Sequence, residues 1–138
     1  MNPSTLFDFA NLYAFIGWFL LFSAPNWKYT QQLIKYGILL VMSTVYAVLV
    51  IKGISNFNVN DFSSLAKVKL LFNQDEALLA GWIHYLTFDL FVGAYIVRKS
   101  IELGISRLYF SLILPFTFMF GPVGFLLFSL VSISKSKS

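Results

Sequence analysis

The chain predicts an all-α membrane protein: a four-transmembrane-helix bundle with a short interfacial helix between the second and third spans, in one integral domain over residues 1–138. Three observations predict it. The sequence is 58% hydrophobic and only 12% charged, with a mean hydropathy of +0.76, whereas a soluble domain is nearer a quarter charged. Its apolar residues gather in four stretches of about the twenty residues a bilayer requires. The links between them carry Pro25, the aromatic pair Trp27 and Tyr29, and Lys28, Lys67 and Lys69, the usual flanks of membrane spans.

The first span covers residues 6–24. Pro25 ends it, because proline disfavours helix in the residue before it. Asp8 sits near its start, where the positive helix end stabilises a carboxylate. Asn11, three residues deeper, needs a partner on a neighbouring helix. A short link with the interfacial pair Trp27 and Tyr29 makes the first two helices antiparallel neighbours.

The second span covers residues 33–54, with Ser43, Thr44 and Tyr46 as its mid-depth polar residues. Their hydroxyls can bond back to their own helix. In the loop that follows, Asp61 is expected to cap the amphipathic stretch FSSLAKVKLLF. Phe62, Leu65, Val68 and Phe72 recur there at helical spacing, predicting a helix on the membrane surface.

The third span covers residues 74–99. Asn73 with Glu76 three residues on resembles a capping box, and Gly104 is the expected stop. The fourth covers residues 107–133 and is expected to kink at Pro115 and Pro122, with Gly121 and Gly124 allowing close approach. A basic tail, SKSKS, ends the chain. Four spans would return both ends to one side, with five basic residues on each side. The link after the first span holds Lys28 while the segment before it has no Lys or Arg, which leans towards both ends lying outside.

Composition also excludes classes of chemistry. There is no cysteine, so disulfides, thiolate metal sites and cysteine nucleophiles are out. A single histidine rules out a multi-histidine zinc or di-iron cluster, and no metal site is expected. The net charge of +4 is scattered over segment ends and the tail, so no nucleic-acid partner is expected and the partner is the lipid bilayer. The first apolar run lacks a basic leader and an A-x-A-like cleavage site and is expected to be a mature helix. G-x-S-x-G elbows, phosphate-binding glycine loops and internal repeats are all absent. The sixteen phenylalanines serve as interfacial anchors or as walls for a flat apolar ligand.

The third span holds the candidate chemistry. His84 and Asp89 lie in its middle third, and ionisable groups at membrane depth are costly and usually face a bundle interior or cavity. They are five residues apart, about 140° around the helix. Trp82, Tyr85, Asp89 and Ile96 follow one stripe; His84, Phe88, Phe91, Tyr95 and Arg98 follow another. Asp89 reads either as a carboxyl bonded to groups such as Asn11 or as a general acid or base. His84 reads as a bundle histidine, as an acid–base group, or as an axial ligand to haem or chlorophyll. No cofactor is called for.

The segments GWIHYLTFDLFVGAYIVRKSIELGI (Gly81–Ile105) and FMFGPVGFLLF (Phe118–Phe128) resemble the ABA-deficient-four-like family of small four-helix membrane proteins, whose plant members are known as neoxanthin synthase. Trp82, Ile83, His84, Asp89, Leu90 and Phe91 carry the most specific part. ANLYA at Ala10–Ala14, Pro25 and FSSLAKVKLLF are also similar, so the likeness covers nearly the whole chain. Relatives often carry an acid after the arginine at position 98; here it is Lys99.

The resemblance implies carotenoid chemistry: redox-neutral isomerisation of an epoxy-carotenoid to an allene. Such chemistry needs an acid at the epoxide oxygen and a base at the polyene-side carbon. It implies His84 and Asp89 as the catalytic pair. Asn11, Trp82, Tyr85, Phe88, Arg98, Phe118 and Phe120 are the candidate substrate-binding residues, with a carotenoid as ligand. The alternative is a non-catalytic pigment- or lipid-binding membrane subunit. The expected setting is a bacterial inner or thylakoid-type membrane, crossed several times; no motif encodes an oligomeric state.

Overall fold

The structure is a computed structural model and describes residues 2–53 and 58–136. The expected end of the second span at Ile54 and the end of the basic tail at Lys137 and Ser138 lie outside the described residues. Among those described, the chain is helical with no strand. Helix α1 spans Pro3–Ser23 and α2 spans Thr30–Gly53. After them come α3 (Leu65–Leu71), α4 (Asp75–Glu102), α5 (Arg107–Met119) and α6 (Gly121–Ser136). Helices α1, α2 and α4 are long and apolar enough to cross a bilayer.

Local chemistry sets the boundaries. Asn2 caps α1, its side chain accepting from the Ser4 amide, and Pro3 occupies the first helical position, where its missing N–H is harmless. The helix stops ahead of Pro25, with the Ala24 amide still reaching Leu20 O. Helix α2 widens to a π segment over Leu33–Leu39, turning Ile34 and Ile38 inward. As the back-bonding rule expects, Thr44 Oγ1 donates to Leu40 O at 2.8 Å.

Two expected caps differ. Asp61 closes a 3-10 turn, Val59–Phe62, by reciprocating with Asn58, and Ser64 caps α3 by accepting from the Lys67 amide. A shorter hydroxyl next to the helix outcompetes a carboxylate three residues upstream. Helix α4 likewise begins at Asp75 with no side-chain cap. The Asn73 and Gln74 amides are spent on the preceding turn, donating to Leu70 O and Leu71 O. At its far end α4 stops at Glu102, and Gly104 takes the left-handed φ of 64°.

The fourth apolar stretch differs most: it forms a helical hairpin in place of a kinked span. Helix α5 has 13 residues and α6 has 16, about 20 and 24 Å at 1.5 Å per residue, each short of a bilayer core. Between them Phe120 leaves helical geometry, with φ −147° and ψ 72°. Three contacts along α4 fix the direction of the arms. Tyr85 meets Met119, Asp89 lies against Gly121, and Tyr95 packs on Phe125 and Phe128 at centroid distances of 6.2 and 6.0 Å. Helix α5 therefore runs antiparallel to α4, and α6 turns back parallel to it.

The two arms nearly touch. A Cβ on Gly124 would stand 2.6 Å from Thr117 Cβ and 2.7 Å from its Cα, so only glycine allows this approach. Pro122 is the second residue of α6, where its missing N–H needs no partner; it starts a helix instead of kinking one. Pro115 lies inside α5. As a result the Pro3 end of α1 and the Ser136 end of α6 lie at opposite ends of the bundle, in place of the shared side expected from four spans.

Helix α4 is the hub, contacting α1, α2, α5 and α6. Its inward side chains Ile83, Leu90, Ile96 and Val97 are fully buried, meeting Trp18 and Leu21 of α1, Ile38 and Met42 of α2, and Phe110 and Leu114 of α5. The outer faces stay apolar: Phe9, Leu12, Phe15 and Phe19 of α1 are all exposed. A surface of this kind marks contact with lipid or partner, not water.

Candidate functional site

Asp89 stands fifteenth of the 28 residues of α4, which puts it about 20 Å from either helix end. Its stripe on α4 continues through Trp82, Tyr85 and Gly93, and this face meets α1 on one side and the hairpin on the other. Trp82 Nε1 donates to Asn11 Oδ1 at 3.0 Å, while Asn11 Nδ2 donates to Phe7 O at 2.9 Å. The neighbour that Asn11 required is thus Trp82. Rings of Phe7, Trp82 and Tyr85 follow one another at 5.6 and 5.3 Å. Further along, Trp18 lies over Gly93 and meets Phe118 edge-on at 5.3 Å.

The hairpin tip closes this face. Breaking a helix at Phe120 strips partners from the last carbonyls of α5 and the first amides of α6, and buried groups of this kind must find partners in the protein. Tyr85 Oη donates to Met119 O at 2.6 Å. The Phe120 amide reaches back to Phe116 O at 2.7 Å, and Phe120 O accepts from the Val123 and Gly124 amides at 2.9 and 3.1 Å. The Gly121 amide faces the Asp89 carboxyl, as does the Tyr85 hydroxyl. A carboxyl at the start of α6 meets the positive end of the helix dipole.

Asp89 is 6% exposed, and its Oδ2 has no hydrogen-bond partner. An unpaired acceptor this deep is uncommon, and free lone pairs on a buried carboxyl are available for chemistry. Beside it stand one phenol and one backbone amide, with the Trp82 ring beyond Tyr85, the Trp18 ring at Gly93 and the Phe118 ring against Trp18.

His84 occupies a different face of α4. It is exposed, stacks on Phe88 at 4.6 Å, and leans on Tyr46 of α2 at 5.4 Å. Of the candidate residues, Asn11, Trp82, Tyr85, Asp89 and Phe118 gather on one side of α4. His84 and Phe88 sit on another. Arg98 lies near the helix end, 3.9 Å from Glu102 and 6.0 Å from the Tyr95 ring, and Phe120 is exposed at the hairpin tip. Sequence reasoning missed the Met119 carbonyl and Trp18; it singled out Gly121 for close approach but not for its place against Asp89. The pair Gly121–Pro122 was the available signal, since a proline just inside a helix start marks a new helix.

Two apolar grooves flank α2. The larger, about 320 Å³, is lined by Leu6, Ala10, Tyr13, Met42, Val45 and Ile83 among others. The smaller, about 260 Å³, lies between Leu39, Ser43, Thr87, Phe88 and Phe91. Thr87 Oγ1 is held by Ile83 O at 2.6 Å. Among the described residues no three His, Asp or Glu side chains gather to hold a metal ion.

Comparison with known proteins adds a family. No curated protein and no solved structure matched the chain. The family model described as ABA DEFICIENT 4-like matches residues 5–128, a stretch that takes in α1, α4 and the hairpin tip, and the chain belongs to this family.

Proposed function

We propose that this protein is a multi-pass membrane enzyme of a bacterial inner or thylakoid-type membrane that isomerises an epoxy-carotenoid, as a neoxanthin synthase does. The observation that carries the reading is the Asp89 carboxyl: buried midway along a membrane-length helix, with Oδ2 unpartnered and a phenol beside it. Membership of the ABA DEFICIENT 4-like family supports the substrate class.

The chemistry uses two groups. Asp89 removes the proton from the polyene carbon next to the epoxide-bearing ring carbon. The electron pair left behind forms the second double bond of the allene as the ring carbon–oxygen bond breaks. Tyr85 gives its proton to the departing oxygen, which becomes a hydroxyl. Because Asp89 and Tyr85 face each other, the proton taken by one then passes to the other, and both groups are restored. No atoms are gained or lost. Two groups of this kind, positioned together, typically contribute about 10²–10⁴-fold each. His84, on the far side of the helix, takes no part in this transfer, so the pair differs from the one suggested by the motif alone.

A second reading rests on the larger apolar groove. Its almost wholly apolar lining suits a polyene or acyl chain, and a pigment- or lipid-binding subunit would need nothing more. Expression in a host that makes epoxy-carotenoids separates the two. Pigment chromatography with mass detection is expected to show a new pigment of unchanged mass, absent in Asp89→Asn and retained in His84→Ala. Unchanged pigment that co-purifies equally with wild type and Asp89→Asn would replace catalysis by binding.

A further inference from the structure

The hairpin rearranges the charges of the molecule. With α6 turned back, one end of the bundle carries Lys28, Lys35, Arg98, Lys99, Arg107 and Lys135. Glu102 is the single acid there among the described residues. The other end carries Lys52, Lys67 and Lys69 together with Asp8, Asp61, Asp75 and Glu76. A fourth span would have sent Lys135 to that second end and nearly levelled the two. Among the described residues the hairpin instead leaves twice as many basic residues at one end, and the acids gather at the other.

The basic end is built to meet headgroups. Lys28 Nζ lies 4.7 Å from the Tyr29 ring, Trp27 meets Tyr29 at 5.5 Å, and Lys35 Nζ lies 5.0 Å from the Tyr36 ring. These aromatics are exposed, as interfacial anchors are. Arg107 ties the helix ends together there, its Nη2 donating to Phe22 O at 2.8 Å.

We propose that this end faces the cytoplasmic or stromal side, with its lysines against anionic lipid headgroups, and that the Pro3 end of α1 and α3 lie on the opposite surface. Basic residues in short loops near span ends set orientation, while acids contribute little. Juxtamembrane lysines are drawn to the negative surface potential of that leaflet. The hairpin then enters and leaves from the cytoplasmic side. This inference rests on the arrangement of the helices and not on the chemistry of Asp89.

The absence of cysteine makes the test clean. Single variants Thr5→Cys, Gln74→Cys, Ser106→Cys and Ile133→Cys are labelled with a membrane-impermeant maleimide in right-side-out and inverted membrane vesicles, with detergent-solubilised protein as the control for folded yield. Thr5→Cys and Gln74→Cys are expected to label in right-side-out vesicles, Ser106→Cys and Ile133→Cys in inverted ones. Labelling of Ile133→Cys together with Gln74→Cys overturns the hairpin, and complete reversal overturns the polarity. Exchanging Lys28, Lys35 and Lys135 for Gln leaves three basic residues at each end among the described residues and is expected to yield both orientations. Phosphatidylglycerol is expected to co-purify above its share of the bulk lipid, and less so with the triple variant; a bulk-like lipid shell in both removes the headgroup contact.

Discussion

Adding one methyl group at the hairpin tip probes the site where fold and chemistry meet. In Gly121→Ala the new Cβ would overlap Asp89 Oδ1 and stand 2.8 Å from Asp89 Cγ, while Asp89 Cα, at 3.5 Å, is in ordinary contact. The clash is therefore with the carboxyl and not with the helix backbone. Either the carboxyl rotates away from Gly121 and Tyr85 or the tip lifts from α4. Overpacking of this kind costs about 1–3 kcal/mol, a five- to 150-fold loss in the folded ratio. Equilibrium denaturation in detergent measures it, once in the wild-type background and once in Asp89→Ala. Removing the carboxyl removes the atoms in the way, so the cost of Gly121→Ala is expected to fall to about 0.5 kcal/mol or less, the range of substitutions that disturb nothing. Such coupling between touching residues is the expected non-additivity. An equal cost in both backgrounds would refute the placement of Gly121 on Asp89.

Other perturbations follow from the same geometry. Tyr85→Phe leaves the Met119 carbonyl without its donor and is expected to cost about 1–3 kcal/mol, with pigment conversion down by about 10²-fold or more; denaturation and chromatography read the two effects separately. Arg107→Gln gives up the bond to Phe22 O, and because Arg107 is exposed the expected loss in a denaturation midpoint corresponds to about 1 kcal/mol. Trp82→Phe and Asn11→Ala each break the bond between α1 and α4, so the double variant is expected to lose less than the sum of the singles, by about 0.5 kcal/mol or more in a double-mutant cycle.

Much of this molecule is legible in its sequence, for identifiable reasons. Helices α1, α2 and α4 follow from apolar length, and two of their ends follow from Pro25 and Gly104; the start of α1 at Pro3, ahead of the expected Leu6, does not. That Asn11 needs a partner on a neighbouring helix was legible, but the partner is Trp82 and not the Asp89 carboxyl expected beside it. The separation of His84 from Asp89 followed from helix periodicity alone. The hairpin did not, because hydropathy measures how apolar a stretch is and not which way it runs. Pro115 and Pro122 look alike as letters, yet one lies inside a helix and the other begins one. Asp61 and Asn73 were expected to cap helices, but Ser64 stands closer to α3, and the Asn73 amide is already used by the turn before α4. The site suffered most from the missed turn, since Gly121 and the Met119 carbonyl reach Asp89 only because the chain doubles back at Phe120.

Most direct is the turnover of Asp89→Asn, measured as isomerised pigment per unit of folded protein beside wild type and His84→Ala. The substitution keeps the side-chain volume and removes the charge and the ability to take a proton. Proton transfer by Asp89 predicts a fall of about 10²-fold or more with His84→Ala near wild type. Near-wild-type conversion by Asp89→Asn would contradict it.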